Sequence, residues 1–258
     1  MINTLTKIFK QISHLRSRAV SQYTHLAEAF TEHDQEMVHF YSQFVRPGEL
    51  CFDVGANIGN RVKILLNIGA RVVAIEPQDE CARSLNQRFG TNPNFQLVQT
   101  ALGAFEGKAE MLISDASTIS SLSPEWVESV KTSGRFHGHT WNQKQTTSIT
   151  TLDRLISKYG RPTFIKIDVE GFELQVVSGL SQPIKFLSFE FVPEFLRPTR
   201  DLILLLQHLG DARFNYSLGE SMRLNLQEWV GAPAIERILS GFEDDPTIFG
   251  DVYVSLPV

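Results

Sequence analysis

Short, continuous apolar runs alternate along this chain with segments of helical period. Leu50-Cys51-Phe52-Asp53-Val54 is such a run, interrupted by one acid near its end. Gly55-Ala56-Asn57-Ile58-Gly59 follows, and then Ile58, Val62, Leu65, Leu66 and Ile68 recur at helical spacing. The pattern predicts a strand, a glycine turn and a helix. Arg71 to Ile75 predicts a second strand, stopped by Pro77, and Cys81, Leu85 and Phe89 predict a helix over 79–89. Further strands are expected at 95–102, 147–152, 163–168, 185–191, 214–218 and 252–256, with helices at 153–159 and 201–209. Buried strands alternating with helices define an α/β, doubly wound sheet that is mostly parallel and covered by helices on both faces.

Two stretches depart from this rhythm. Residues 1–46 read as a helical appendage closed by the Arg46-Pro47-Gly48 turn. Within it Lys7, Lys10, Arg16 and Arg18 lie among Ile8, Phe9, Ile12 and Leu15, a basic amphipathic pattern expected to pack on its own domain. The rest, 47–258, is one domain with an insertion at about 103–146. A turn and an antiparallel strand are expected over 103–114, but 115–145 is polar and lacks a clear period. So long a weakly periodic stretch reads as a lid or mobile segment.

Charge and composition narrow the function. Among 258 residues, 24 Lys and Arg face 29 Asp and Glu, a net charge of −5, so no positive field favours nucleic acid. The longest strictly apolar run, Leu202 to Leu206, is far short of the roughly 18–20 residues a membrane span requires. The N-terminus has no hydrophobic signal core, which leads to the expectation of a cytoplasmic protein. Cys51 and Cys81 match no zinc or redox spacing and are expected as buried apolar residues.

The glycine turn narrows the ligand. A dinucleotide fingerprint needs glycine at 55, 57 and 60, and only Gly55 meets it, so a nicotinamide oxidoreductase is disfavoured. The turn instead has the form Asp53-x-Gly55-x-Asn57-x-Gly59, with Glu76 ending the next strand. In a doubly wound sheet the ligand lies outside the carboxyl ends of the strands. A carboxylate at Glu76 can accept both hydroxyls of an unphosphorylated ribose. Asp53 would repel a pyrophosphate but suits a cationic, amino-acid-bearing ligand, which points to S-adenosyl-L-methionine.

Four strings together, Cys51 to Gly59, Ala74-Ile75-Glu76-Pro77, Thr151-Leu152-Asp153 and Ile165-Lys166-Ile167-Asp168-Val169-Glu170-Gly171-Phe172-Glu173, resemble the FkbM family of methyltransferases over about 48–194. The turn is shared by most class I methyltransferases, whereas the Lys-Ile-Asp-x-Glu-Gly-x-Glu string is more particular to this family. The resemblance implies a seven-stranded Rossmann-like class I sheet with one antiparallel strand. It implies S-adenosyl-L-methionine as donor and O-methylation of a small-molecule or glycan hydroxyl, on a sugar or polyketide-type natural product. The cofactor-contacting set is then Asp53, Gly55, Ala56, Asn57, Gly59, Glu76, Pro77, Ala101, Leu102 and Asp168. Gly55, Asn57 and Gly59 would meet the methionine portion, Glu76 the ribose, and Ala101 and Leu102 the adenine. One departure is Val192, where relatives often carry a histidine two residues after the acid at 190.

A period of two puts Lys166, Asp168 and Glu170 on one face, the last two near the carboxyl edge of the sheet. The implied fold sets this strand beside that of Asp53, so at least one carboxyl there should have a raised pKa. This makes Asp168 the expected general base, with Glu190 its competitor and Glu170 a third candidate. The alternatives are that Asp168 only orients the cofactor ammonium and Glu170 only caps the helix after Gly171. His137, His139 and Trp141 in the insertion are candidate acceptor contacts, since imidazoles and an indole stack on and hydrogen-bond a sugar or flat molecule. Asp168 and Glu190 with either histidine would be the metal set, but no close ligand spacing supports it and no metal is expected. A catalytically silent cofactor-binding or assembly protein is the other rival, and a homo-oligomer is left open.

Overall fold

The computed structural model describes residues 30–257. The chain divides into two units, 1–37 and 38–258. Residues 1–29, with most of the expected appendage and its basic positions, lie outside the described residues.

Seven strands form the main sheet, in the order β3 (Phe95–Val98), β2 (Arg71–Ile75), β1 (Leu50–Val54), β7 (Phe164–Ile167), β8 (Phe186–Phe191), β10 (Gly250–Ser255) and β9 (Arg213–Leu218). All pair in parallel except β10, which runs antiparallel to both neighbours. The chain order reverses direction between β1 and β7, the position at which a doubly wound sheet opens a crevice for ligand.

Register separates the two faces. Asp53, Lys166, Ser188, Tyr253 and Asn215 lie opposite one another in turn, and Glu190, Asp251 and Ser217 form the next row towards the carboxyl edge. This face therefore carries a polar stripe. Phe40 and Tyr41 of α1 (Glu32–Tyr41), with Phe44 just beyond, cover it by stacking on Phe164, Phe186 and Tyr253. The alternate positions Phe52, Ile165, Leu187, Phe189 and Val252 enter an apolar core with Leu152, Val176, Ile203 and Ile235. Those four come from α5 (Leu152–Tyr159), α6 (Glu173–Ser178), α7 (Leu196–His208) and α8 (Ala232–Ser240). Earlier in the chain come α2 (Asn60–Ile68), α3 (Asp79–Phe89) and α4 (Pro124–Ser133). Among the described residues no helix is long and apolar enough to cross a membrane.

The expected strand over 95–102 is two strands. It stops at Val98, and β4 (Ala101–Leu102) joins a second sheet with β6 (Gln143–Thr150) and β5 (Gly107–Ile113). The Thr100 hydroxyl donates to the Ser148 carbonyl at 2.8 Å and holds the crossing. Residues 115–145 have more structure than their composition suggests. Ser123 caps α4 by accepting from the Trp126 N–H at 3.1 Å, Pro124 opens the helix, and Gly134 closes it in the left-handed region. Only Trp126, Val127 and Val130 of this helix are buried, too few positions for a visible period. The helix expected at 201–209 begins at Leu196, since Pro198 is tolerated in a first turn, and α8, opened by Pro233, was not expected.

Candidate functional site

The glycine turn is strapped to the neighbouring strand: the N–H groups of Gly55 and Ala56 both donate to the Ile75 carbonyl, at 2.9 and 3.1 Å. Gly55 has φ +80°, and a Cβ there would lie 1.8 Å from the Asp168 carbonyl oxygen. Only glycine lets the ends of β1 and β7 approach this closely. Asn57 also sits in the left-handed region, φ 48°, with its Oδ1 accepting from the Ile58 N–H at 2.8 Å.

Glu76 is buried at the end of β2 and latches this turn. Its Oε2 accepts from the Asn57 N–H and its Oε1 from the Gln78 N–H, each at 2.7 Å. Burial lifts its pKa to about 7 despite these donors. Asp53 is buried too, and its Oδ2 has no hydrogen-bond partner. Burial raises it to about 6, against the pull of Lys166 and Arg61, while Asp168 adds a smaller upward push. The raised carboxyl expected beside the Asp168 strand is thus found at Asp53, with desolvation ahead of charge repulsion.

These groups line a cavity of about 290 Å³. Of the expected cofactor residues, Asp53, Gly55, Ala56, Asn57, Glu76, Pro77, Ala101, Leu102 and Asp168 line it. Gly59 does not: it caps α2 at φ +89°, and a Cβ there would meet Phe89 and Leu85 at 2.5 and 2.7 Å. Its glycine is required by packing on α3. The cavity also takes in Gln78, Thr100, Met111, Phe172 and, from the insertion, Ser117, Ser120 and Leu122. Gln78 Nε2 donates to the Ser117 carbonyl at 3.0 Å, so the insertion is tied to the strand end that carries Glu76.

At the opposite wall Asp168, Glu170 and Glu190 each bring an oxygen within 4.8 Å of the others. The buried Lys166 ammonium lies 3.1 Å from Asp168 Oδ2 and 3.1 Å from Asp251 Oδ1. Burial works against that charge, but the two aspartates outweigh it and hold the lysine pKa well above its ordinary value. Glu170 and Glu190 face each other. Burial, then neighbouring carboxylates, hold both well above the usual carboxylate range. Glu170 is itself left-handed, φ 55°. It does not cap α6, which has no side-chain cap. Glu173 instead latches the turn before the helix, its Oε1 accepting from the Val169 and Gly171 N–H groups at 3.1 and 3.2 Å, with a pKa raised by burial to about 7.

None of His137, His139 and Trp141, the expected acceptor contacts, lines the cavity. Trp141 is buried with Trp126, Val127 and Val130, donates Nε1–H to the Ile119 carbonyl at 2.7 Å and carries Lys131 over its ring. Both histidines are exposed, and His139 pairs with Asp115 at 3.0 Å. Neither imidazole joins the carboxylates, and Lys166 supplies a cation to Asp168. Lys166 was placed on the right face by its spacing, but Asp251, 85 residues on, gave no local signal.

The model of the methyltransferase FkbM domain matches residues 53–217, more than half of the chain. No curated protein matches. Similar solved structures include a precorrin-6y C5,15-methyltransferase from Geobacter metallireducens GS-15, at 10% identity over 86% of each chain and a TM-score of 0.43. A TehB-like SAM-dependent methyltransferase from Corynebacterium glutamicum matches at 10% identity over 94% of this chain and 98% of that one, TM-score 0.42. A putative hemolysin from Lactococcus lactis matches at 12% identity over 88% of each chain, TM-score 0.45. The residues fit the donor this family uses: Asp53 Oδ2 is an unpartnered buried carboxylate oxygen at the cavity wall, complementary to an ammonium, and Glu76 ends β2 beside it. The chain belongs to the FkbM methyltransferase family, with S-adenosyl-L-methionine as its methyl donor.

Proposed function

We propose that this protein methylates a hydroxyl of a small-molecule or glycan acceptor. The observation that carries this reading is the carboxylate trio at the ends of β7 and β8, with one member neutralised by a buried lysine and two facing each other. S-adenosyl-L-methionine supplies an electrophilic methyl group on a sulfonium. Asp53 would hold the ammonium of the bound donor, the backbone of Gly55 to Asn57 its methionine portion, Glu76 the ribose hydroxyls, and Ala101 and Leu102 the adenine.

The buried Lys166 ammonium holds the Asp168 carboxylate at 3.1 Å, and Asp168 orients the hydroxyl or the ammonium. Burial, then Glu170, raise the proton affinity of Glu190 above that of an ordinary carboxylate, and Glu190 in its carboxylate form takes the hydroxyl proton as the O–C bond forms and the methyl–sulfur bond breaks to leave the thioether. Glu170 shares that proton. The acidic wall would repel a phosphate backbone, which favours a small, donor-rich acceptor.

Turnover and S-adenosylhomocysteine affinity of Glu190→Gln and Asp168→Asn test the assignment. Glu190→Gln is expected to lower turnover about 10²-fold or more with affinity within about twofold, and Asp168→Asn to cost less. If neither lowers turnover about tenfold, no base resides here. A deuterium-labelled methyl donor and mass spectrometry over a sugar and polyketide panel test the acceptor class. Label on oxygen supports the reading, and label on nitrogen, carbon or RNA overturns it.

A further inference from the structure

The inserted segment between β5 and β6 touches the elements that carry both facing glutamates. We infer that it is a fixed brace, with Ser121, Trp126 and Arg135 as positioning residues that hold Glu170 against Glu190; this inference rests on the base chemistry proposed above.

A left-handed backbone at a residue other than glycine costs on the order of 1 kcal/mol and persists only where its surroundings impose it. Three contacts impose it at Glu170. The Ser121 hydroxyl donates to the Glu170 carbonyl at 2.5 Å. Glu173 holds the N–H groups on either side, at Val169 and Gly171. Trp126, itself buried, lies against Gly171 so closely that a Cβ there, at φ +86°, would come within 2.3 Å of the Trp126 Cβ.

The Ser121 hydroxyl is in turn fixed. Its oxygen accepts from the Ser123 N–H at 2.9 Å, and its backbone exchanges two hydrogen bonds with Leu112 of β5, at 2.8 and 3.0 Å. The far end of the same segment grips the chain just beyond β8. Ser129 donates to the Glu194 carbonyl at 2.7 Å, and Arg135 grips the Glu194 carboxylate through two bonds at 2.6 and 2.8 Å. One rigid piece thus joins the turn that presents Glu170 to the strand end that presents Glu190. The groups facing Glu170 are Asp168, Glu173, Glu190 and Lys166, and those facing Glu190 are Glu170, Asp168, Glu173 and Asp251. Ser121 is none of these, so its removal changes the distance between the pair and leaves the surrounding charges in place.

The test is a carbon-13 titration of the glutamate carboxyls in the full chain, with Glu170→Gln and Glu190→Gln to assign the pair. It needs no acceptor. The brace predicts that the pair titrates together above the ordinary range, and that Ser121→Ala lowers its midpoint by about one pH unit or more, tenfold in proton affinity. Homocysteine-compound affinity should stay within about twofold, because the cofactor wall is untouched. Thr151→Ala is the structural control, since it removes the cap of α5, outside the inserted segment, and should leave the midpoint in place. Arg135→Gln loosens the other end and should lower the midpoint as Ser121→Ala does, which keeps the test decisive if Ser121→Ala fails to fold. An unmoved midpoint in Arg135→Gln or Ser121→Ala, or an equal drop in Thr151→Ala, overturns the brace. Absence of hydroxyl methylation in the wild type would instead remove the functional reading while leaving the titration result standing.

Discussion

The cavity has two walls built in different ways. The cofactor wall is local: Gly55, Ala56 and Asn57 are held by backbone and carboxylate groups of β2 and its end, about twenty residues away. The opposite wall is assembled over distance, since Ser121 reaches Glu170 across 49 positions, Arg135 reaches Glu194 across 59, and Lys166 reaches Asp251 across 85. A shared ligand is recognised by a conformation that a few adjacent residues encode. The placement of reacting carboxylates depends on contacts that sequence neighbours do not carry.

The sharpest break between the walls is Gly55→Ala. The added methyl meets the Asp168 backbone and φ is +80°, so both walls are forced apart. Unfolding free energy should fall by about 3 kcal/mol or more, measured by denaturant titration; a change below about 1 kcal/mol would mean that the two strand ends need not approach so closely.

Next in size, pH acts on the cofactor wall. Folding raises Glu76 to about 7 and Asp53 to about 6, from ordinary values of 4.5 and 3.8. A carboxyl whose folded pKa is raised contributes stability that is complete below its unfolded pKa and is lost as pH rises through the folded one. The unfolding temperature should therefore fall between about pH 5 and 8, by the equivalent of about 1–3 kcal/mol, and Glu76→Gln should flatten the profile. A profile in Glu76→Gln as steep as that of the wild type would place the titration elsewhere.

The smallest effect concerns Trp141. Because it is packed away from the cavity, Trp141→Phe should leave turnover and acceptor KM within about twofold and cost about 1 kcal/mol of stability through the lost bond to Ile119. A tenfold rise in acceptor KM would return Trp141 to the acceptor site.

Legibility follows the same division. Strand, turn and helix over 50–68, the acid at 76 and the face shared by Lys166 and Asp168 follow from period and punctuation, because each is decided within a few residues. The break at Gln99 and Thr100 is not readable, since β4 changes sheets to meet β6 some 48 positions later. Nor is α4, with three buried positions, or the packing role of Gly59, which depends on Phe89. Trp141 read as an acceptor contact because an indole in a polar stretch resembles a binding residue, and only the fold shows Trp126 and Val130 beside it.

The central claim is that one wall binds and the other reacts, and calorimetric titration of Glu76→Ala and Glu190→Gln with S-adenosylhomocysteine tests it without an acceptor. Glu76→Ala leaves the Asn57 and Gln78 N–H groups unsatisfied and should weaken binding about tenfold to a hundredfold, while Glu190→Gln should bind within about twofold of the wild type. Equal losses in the two variants, or none in Glu76→Ala, would contradict the division.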